Sequence, residues 1–416
     1  MSFREKWHFI ATGAREKWTR HHRMILGAWV LFVSAVTAVR LAKALPPLLW
    51  GATHGDAVDA KIFHVLVHRW FASLPVYSEL GTAVHPPATY VMLWPFFGWL
   101  EIMPARWFWA ATMIAALVWL TYIAVRESGA GTTLERAFVA LLPLSSYATA
   151  FTMRNGQLAV HVLPPLLAGL LLLQRKRSGW GHDLLPAALV LFALVKPNIS
   201  VPFLWIVLLL PGRLRPAVLV AAGYAALTLF AASFQEAGLI QLLHDSLARG
   251  SALATKAGSA NLHVLLTAVG LKNWILPISL LVFLALGLWI YRHRDVDFWL
   301  LLAVTALVAR FWAYHRLYDD LLLLPPQIAL FRLAKRGPSV GDADLVASAL
   351  LAISAAGLIL PIRFLALSTP WILLITVGNI VVWTFLLVFL LQQAGRERYA
   401  RITLPELPIH TLRKDA

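Results

Sequence analysis

Long apolar runs recur along the chain from about residue 25 to about residue 393, most of them closed by a short cluster of lysine and arginine. Nothing else in the sequence constrains the fold as strongly. Hydrocarbon offers no partner for an exposed amide, so runs of this length are expected to be helices that satisfy their own backbone. Composition agrees: 60% of the residues are hydrophobic and only 13% are charged, against about 25% charged in a soluble domain. A chain of 416 residues accommodates roughly ten to thirteen spans of about 20 residues with their loops. The expected fold class is therefore an all-α polytopic membrane protein. There is no cysteine, which excludes disulfides, iron–sulfur clusters and thiolate zinc sites. The net charge of +16 sits in clusters between apolar runs. That is the pattern of cytoplasmic loops and not of a nucleic-acid surface. The 18 tryptophans suit anchoring at the membrane–water interface.

The basic clusters also orient the chain. Residues 1–23 form a basic arm (Arg4, Lys6, Arg15, Lys17, Arg20, Arg23) expected in the cytoplasm, with no cleavable signal peptide. The first span then runs outward, and the polar stretch from His54 to Pro87 lies outside. Within it Ala60–Phe71 carries Lys61, His64 and His68 on one side and apolar residues over most of the rest. It reads as an interfacial helix on the outer leaflet, with Asp59 at its N-cap. The apolar piece Ala88–Met103 decides the parity. If it crossed, Arg175-Lys176-Arg177, Arg213 and Arg215, Arg292 and Arg294, and Arg332, Lys335 and Arg336 would all fall outside. If it dips in and returns, or stays at the outer surface, all fall inside, as the positive-inside bias requires. The spans expected on this reading are about 25–44, 107–125, 135–150, 158–174, 184–199, 201–211, 216–233, 273–291, 298–313, 321–331, 345–362 and 370–393. They make one transmembrane domain, 24–395, with a cytoplasmic tail, 396–416.

Twelve spans place Asp56, Asp59, His85, Arg154, Asn155, Gln157, Lys196, Asn198, Arg310, His315, Arg316, Tyr318, Asp319 and Asp320 at one outer rim. A polar rim over an apolar bundle suits a substrate with a charged head outside and a hydrocarbon tail in the bilayer. Transfer of a sugar from a phosphate-activated lipid needs a base for the acceptor hydroxyl and cations for the departing phosphate. Asp59 or Asp56 can supply the base. Arg154, Lys196, Arg310, His315 and Arg316 are the candidates for the phosphate. Simpler readings stand beside these. Asp59 also serves as a plain N-cap, Lys196 as a snorkelling lysine, His85 as part of an extended turn before two prolines, and Asp319 and Asp320 as partners for the nearby cations. The sequence has no P-loop or GxGxxG motif, which disfavours direct use of a nucleotide sugar.

The pieces in order are Asp59 ahead of an amphipathic helix, Tyr77 after Leu-Pro-Val, His85-Pro86-Pro87, Asn155-Gly156-Gln157, Lys196-Pro197, and the aromatic-His-Tyr-Asp cluster at 314–319. Together they resemble the GT-C superfamily of membrane glycosyltransferases, and within it family 87, the polyprenol-phosphate-mannose-dependent mannosyltransferases. The resemblance spans about residues 25–330. It implies a GT-C-type bundle and an acidic base in the first outer loop, which maps onto Asp59 better than onto Asp56. It further implies a polyprenyl-phosphate sugar donor, with mannose the expected sugar, and inverting transfer to a glycan or glycolipid acceptor. Gln157, His85 and Tyr77 join the substrate-binding set on this basis. The sequence departs from the family where Ala60 follows the acid, where His85 precedes the two prolines, and at Ser73-Leu74. No metal or cofactor is demanded. The expected location is a bacterial inner membrane with both termini cytoplasmic and the site outside. A lipid-linked-sugar transporter and a polysaccharide polymerase or ligase are the competing classes. The first calls for a polar path through the membrane, the second for a large arginine-rich outer loop.

Overall fold

The structure, a computed structural model, describes residues 3–175, 179–212, 214–254, 261–336, 342–359 and 369–403. Lys176, Arg177 and Arg213 of the basic clusters, and the tail from 404, lie outside the described residues. Helix α1 (Phe3–Leu49) is followed by α2 (Val58–Phe71), α3 (Pro87–Phe97), α4 (Ile102–Glu127), α5 (Thr133–Ser145), α6 (Tyr147–Asn155) and α7 (Ala159–Gln174). Next come α8 (Trp180–Ala193), α9 (Pro197–Ser200), α10 (Leu204–Leu209), α11 (Leu214–Ala232), α12 (Leu239–Ala254) and α13 (Leu262–Ala268). The chain closes with α14 (Ile275–His293), α15 (Phe298–Trp312), α16 (Leu324–Lys335), α17 (Ala343–Ile359) and α18 (Thr369–Thr403). The described residues are thus all-α.

Five stretches are long and apolar enough to cross a membrane: Arg20–Leu49, Ile102–Glu127, Leu214–Ala232, Lys272–His293 and Val377–Arg401. A sixth results if α6 and α7, which meet at 118°, count as one broken span. Several membrane-crossing helices make this an integral membrane protein. The remaining apolar helices, such as α8, α15 and α17, are shorter. The expected span at 135–150 is two helices. Ser146 is extended (φ −60°, ψ 134°), and its hydroxyl caps α6 by accepting from the Ala148 amide at 3.1 Å. A serine in that position offers the backbone a hydrogen bond outside the helical ladder, and the chain takes it. The carbonyl left free at Ser145 accepts from Arg40, which also donates to the Ile359 carbonyl at 2.6 Å. Arg40 therefore stands inside the first span, fastening helix ends that hydrocarbon would leave unpaired.

Two further expectations are refined. With 11 residues, α3 is about 16 Å long, too short for a hydrocarbon core of about 30 Å; this accords with a dip or surface course for 88–103. Helix α2, expected to lie on the leaflet, instead buries Ala60, Phe63, Leu66, Val67 and Trp70 and packs on α3, α4 and α6. Its apolar stripe is covered by protein, and His68 and Val65 face outward. Trp70 Nε1 donates to the Ala231 carbonyl at 2.9 Å, which locks α2 against the end of α11. The entry to α2 is held by Arg106, fully buried on α4. Its guanidinium donates to the carbonyls of Pro47 (2.7 Å), Leu48 (2.8 Å) and Gly51 (3.0 Å), the orphan acceptors at the end of α1.

Charged side chains gather at two opposite ends. At one, Arg332 and Lys335 on α16 and Arg336 at its C-cap meet Asp297 before α15, Glu135 on α5 and Glu397 on α18. At the other, beyond the far ends of α8 and α15, lie Asp59, Gln157, Lys196 and residues 314–320.

Candidate functional site

Four breaks between helices build the site. The first is the start of α2. Ala57 adopts a left-handed conformation (φ 49°), and its amide donates to the Arg154 carbonyl at 3.3 Å. Asp59 thus falls in the first turn of the helix and is not its N-cap, as the sequence had suggested. That position still suits a carboxylate, because the helix N-terminus is electropositive. The second break is Asn155-Gly156-Gln157. Gly156 has φ 71°, and a Cβ there would lie 2.6 Å from the Ala60 Cβ. Only glycine lets α2 come this close while turning the chain from α6 to α7. Trp109 Nε1 secures the turn by donating to the Gly156 carbonyl at 2.9 Å.

The third break is Lys196-Pro197. Proline disfavours a helical residue before it, and Lys196 leaves the helix at φ −129°, ψ 81° between α8 and α9. Thr89 on α3 holds this corner by donating to the Val195 carbonyl at 3.0 Å. The fourth is the segment between α15 and α16, where Asn198 Nδ2 donates to the Tyr314 carbonyl at 2.7 Å.

Asp59 is half-buried beside Gln157, which favours its ionised form and whose Oε1 accepts from the Leu158 amide at 2.7 Å. Burial pushes the Asp59 carboxyl up to about 6, outweighing the opposing pull of Lys196 and Arg316. Lys196 is buried and donates to Asp319 Oδ1 at 2.5 Å, with its ammonium 4.4 Å from the centre of the Tyr318 ring. Burial pushes the Asp319 carboxyl up, but Lys196 and His315 outweigh it and hold Asp319 far below the usual carboxylate range. Asp319 Oδ2 also accepts from the Arg316 amide at 3.1 Å. Arg316 is exposed, and its guanidinium donates to the Tyr314 hydroxyl. His85 completes the wall: burial and then Lys196 depress its imidazole to about 4, so it is neutral at pH 7.

No protein-family model, curated protein or solved structure matches this chain. The chemistry therefore has to be read from the residues.

The structure brings Asp59, Gln157, Lys196, Arg316 and His85 into one electrostatic neighbourhood. His315 joins this neighbourhood through Asp319 and Lys196, and the other expected site residues stand apart from it. Asp56 closes the loop ahead of α2, accepting from the Thr53 hydroxyl (2.5 Å) and amide (3.2 Å); the Thr53 hydroxyl bond leads the causes that lower its pKa. Arg154 is exposed and acts on Asp56. Tyr77 is buried beside Trp70 and Tyr90, with its hydroxyl donating to the His85 carbonyl at 2.5 Å, so it shapes the His85 turn. His315 is fully buried behind Asp319. Its Nε2 lies 2.8 Å from the Ala309 carbonyl and its Nδ1 3.2 Å from Asp319 Oδ2; burial lowers the imidazole pKa against the opposing pull of Asp319. Arg310 is fully buried, bound to Asp320 Oδ1 at 2.5 Å, while Tyr147 donates to the other carboxylate oxygen. Asp319, Tyr314 and Tyr318 belong to the site more closely than the sequence reading placed them. Their signal was proximity to His315 and Arg316 in an aromatic segment at a span end.

Among the described residues no group of three or more histidines, cysteines or acids is placed to hold a metal ion. The side chains present can accept a proton at Asp59 and hold an anion at Arg316 beside the Lys196–Asp319 pair.

Proposed function

We propose that this chain is a GT-C-type membrane glycosyltransferase of about twelve spans with its site on the extracytoplasmic face. It takes a sugar, mannose in the first instance, from a polyprenyl-phosphate donor and passes it to the hydroxyl of a glycan or glycolipid. The carrying observation is Asp59: a half-buried carboxyl raised to about 6, within the field of Lys196 and Arg316. A carboxyl of that strength is ionised at neutral pH yet basic enough to take a hydroxyl proton as the bond to the anomeric carbon forms. The acceptor oxygen attacks opposite the phosphate, the bond to the phosphate breaks, and the configuration inverts. The leaving phosphate gains negative charge, which Arg316 meets with a planar pair of donors and Lys196 as a point charge. Gln157 stands beside the Asp59 carboxylate and favours its ionised form. Exposed apolar side chains along the crossing helices, Leu31 and Phe32 on α1 among them, are the surface that lipid covers, and a lipid-linked donor reaches the rim from that side.

The test is a panel of polyprenyl-phosphate sugars supplied to the purified wild type and to Asp59→Asn. Transfer from one donor by the wild type, with loss of at least about 10²-fold in the variant and unchanged donor binding, supports the reading. No transfer from any donor, with movement of the labelled lipid between leaflets, favours a transporter.

A further inference from the structure

The end of the molecule remote from Asp59 holds a cavity of about 350 Å³ between α14 and α18. Helix α15 begins at this end and reaches the candidate site with its other end, about 22 Å away at 1.5 Å per residue. Arg292, Arg294, Arg398 and Arg401 line the cavity, together with Tyr291 and Asp295.

These arginines differ from the other basic residues nearby. Arg332, Lys335 and Arg336 are all taken up by Asp297, Glu135 and Glu397. Arg401 is shared with Glu397 at 3.4 Å. Arg292, Arg294 and Arg398 have no carboxylate within ion-pair distance among the described residues, and the Asp295 carboxylate on the same wall offsets only one charge. His293 is engaged within its own helix: its Nδ1 lies 2.9 Å from the Trp289 carbonyl and its ring stacks on Trp289. The hollow therefore keeps a net positive lining after Asp295 and Glu397 are counted.

Two apolar faces lead into it. On α14, Leu281, Leu284 and Leu288 are exposed, and on α18, Val381, Phe385 and Val388 are exposed. From Leu281 to Arg292 the helix rises about 16 Å, close to the hydrocarbon depth of one leaflet, about half of 30 Å. Arg294 lies 4.9 Å from the Tyr291 ring, an aromatic at the level expected of the interface.

We infer that this cavity binds the phosphate of an anionic phospholipid of the adjoining leaflet, with the acyl chains lying along the exposed faces of α14 and α18. Guanidinium groups pair with phosphate oxygens in a forked geometry, and the apolar faces give the tails a surface that a soluble phosphate would not use. The inference is independent of the reaction at Asp59.

Native mass spectrometry of the full chain tests it, with phosphatidylglycerol and phosphatidylcholine of matched chains offered in equal amounts. Phosphatidylglycerol should be retained in preference, and millimolar inorganic phosphate should not displace it. The double variant R292Q/R398Q should lower its retention by about twenty-five-fold, at about fivefold per arginine. R292K/R398K should keep most of it, and R249Q, on α12, should change nothing. If the glutamine variant does not fold, the headgroup preference of the wild type and its response to phosphate carry the test alone. Equal retention of both lipids, displacement by inorganic phosphate, or full retention by a folded R292Q/R398Q protein overturns the inference.

Discussion

At the end of the molecule formed by α16, Arg336 reaches Asp297 at 2.9 Å with the arginine side chain 46% exposed. At the Asp59 end, Lys196 reaches Asp319 at 2.5 Å with side chains only 5% and 1% exposed. The first kind of pair is screened by water and salt and contributes about 0–1 kcal/mol. The second has lost its hydration, a penalty of several kcal/mol per ion that the pairing has to offset. The exposed rim fastens helix ends. The buried rim keeps charges where stability alone would favour apolar residues, and beside them it keeps a carboxyl, Asp59, whose ionised form burial opposes. Charges retained against that penalty mark the end of the molecule where chemistry is to be sought.

Substitutions sharpen the contrast, and the largest effect belongs to the buried pair. Lys196→Ala leaves Asp319 buried without its main counter-charge and should cost about 3–5 kcal/mol, read as a drop in thermal midpoint in detergent. A loss below about 1 kcal/mol would move this pair into the same class as the exposed ones. Gly156→Ala comes next. A methyl 2.6 Å from the Ala60 Cβ at φ 71° combines left-handed strain of about 1–2 kcal/mol with overpacking of about 1–3 kcal/mol. Gly395→Ala on α18, with nothing near its added methyl, should be neutral or slightly stabilising under the same melt.

Asp59→Asn should act in the opposite direction. The folded carboxyl is raised from 3.8 to about 6, so the folded state binds its proton more tightly than the unfolded chain does. Ionisation therefore weakens the wild type above about pH 6, and the penalty vanishes below the unfolded value of 3.8. The variant should be more stable than the wild type at pH 7 by roughly 2 kcal/mol, and indistinguishable from it near pH 3.5. Equal stability at pH 7 would mean that Asp59 carries no penalty. Smallest of all, Lys335→Ala should change the melt by no more than about 1 kcal/mol, and less at high salt. Glu135, its partner, also belongs to the capping box of α5, so Glu135→Ala should cost more than Lys335→Ala.

Much of this architecture was legible in the sequence because hydrocarbon enforces it. Nearly every expected apolar run corresponds to one or more helices, and the basic residues of α16 do gather away from Asp59. Lys196 at a Pro-driven helix break and the Gly156 turn were legible for the same kind of reason, since proline and glycine act locally. Pairing was legible only as an alternative. Asp320 and Asp319 do take up Arg310 and His315, 10 and 4 residues away in sequence, and which acid meets which cation is a matter of side-chain direction that spacing alone does not settle. Arg40 and Arg106 were passed over because each sits within an apolar run. Their partners are backbone carbonyls of broken or ending helices, which become visible only once the breaks at Ser146 and Gly51 are in place. The covering of α2 by α3, α4 and α6 has the same origin. An amphipathic stripe reports that it needs an apolar partner and not whether that partner is lipid or protein.

The central claim is that Asp59 is a poised base among cations, and the rate of sugar transfer by the wild type as a function of pH tests it most directly. The account expects the rate to rise through about pH 6, where Asp59 loses its proton, then to level off, with Asp59→Asn inactive throughout. A rate that is flat from about pH 5 to pH 8, or full transfer by Asp59→Asn, would contradict it.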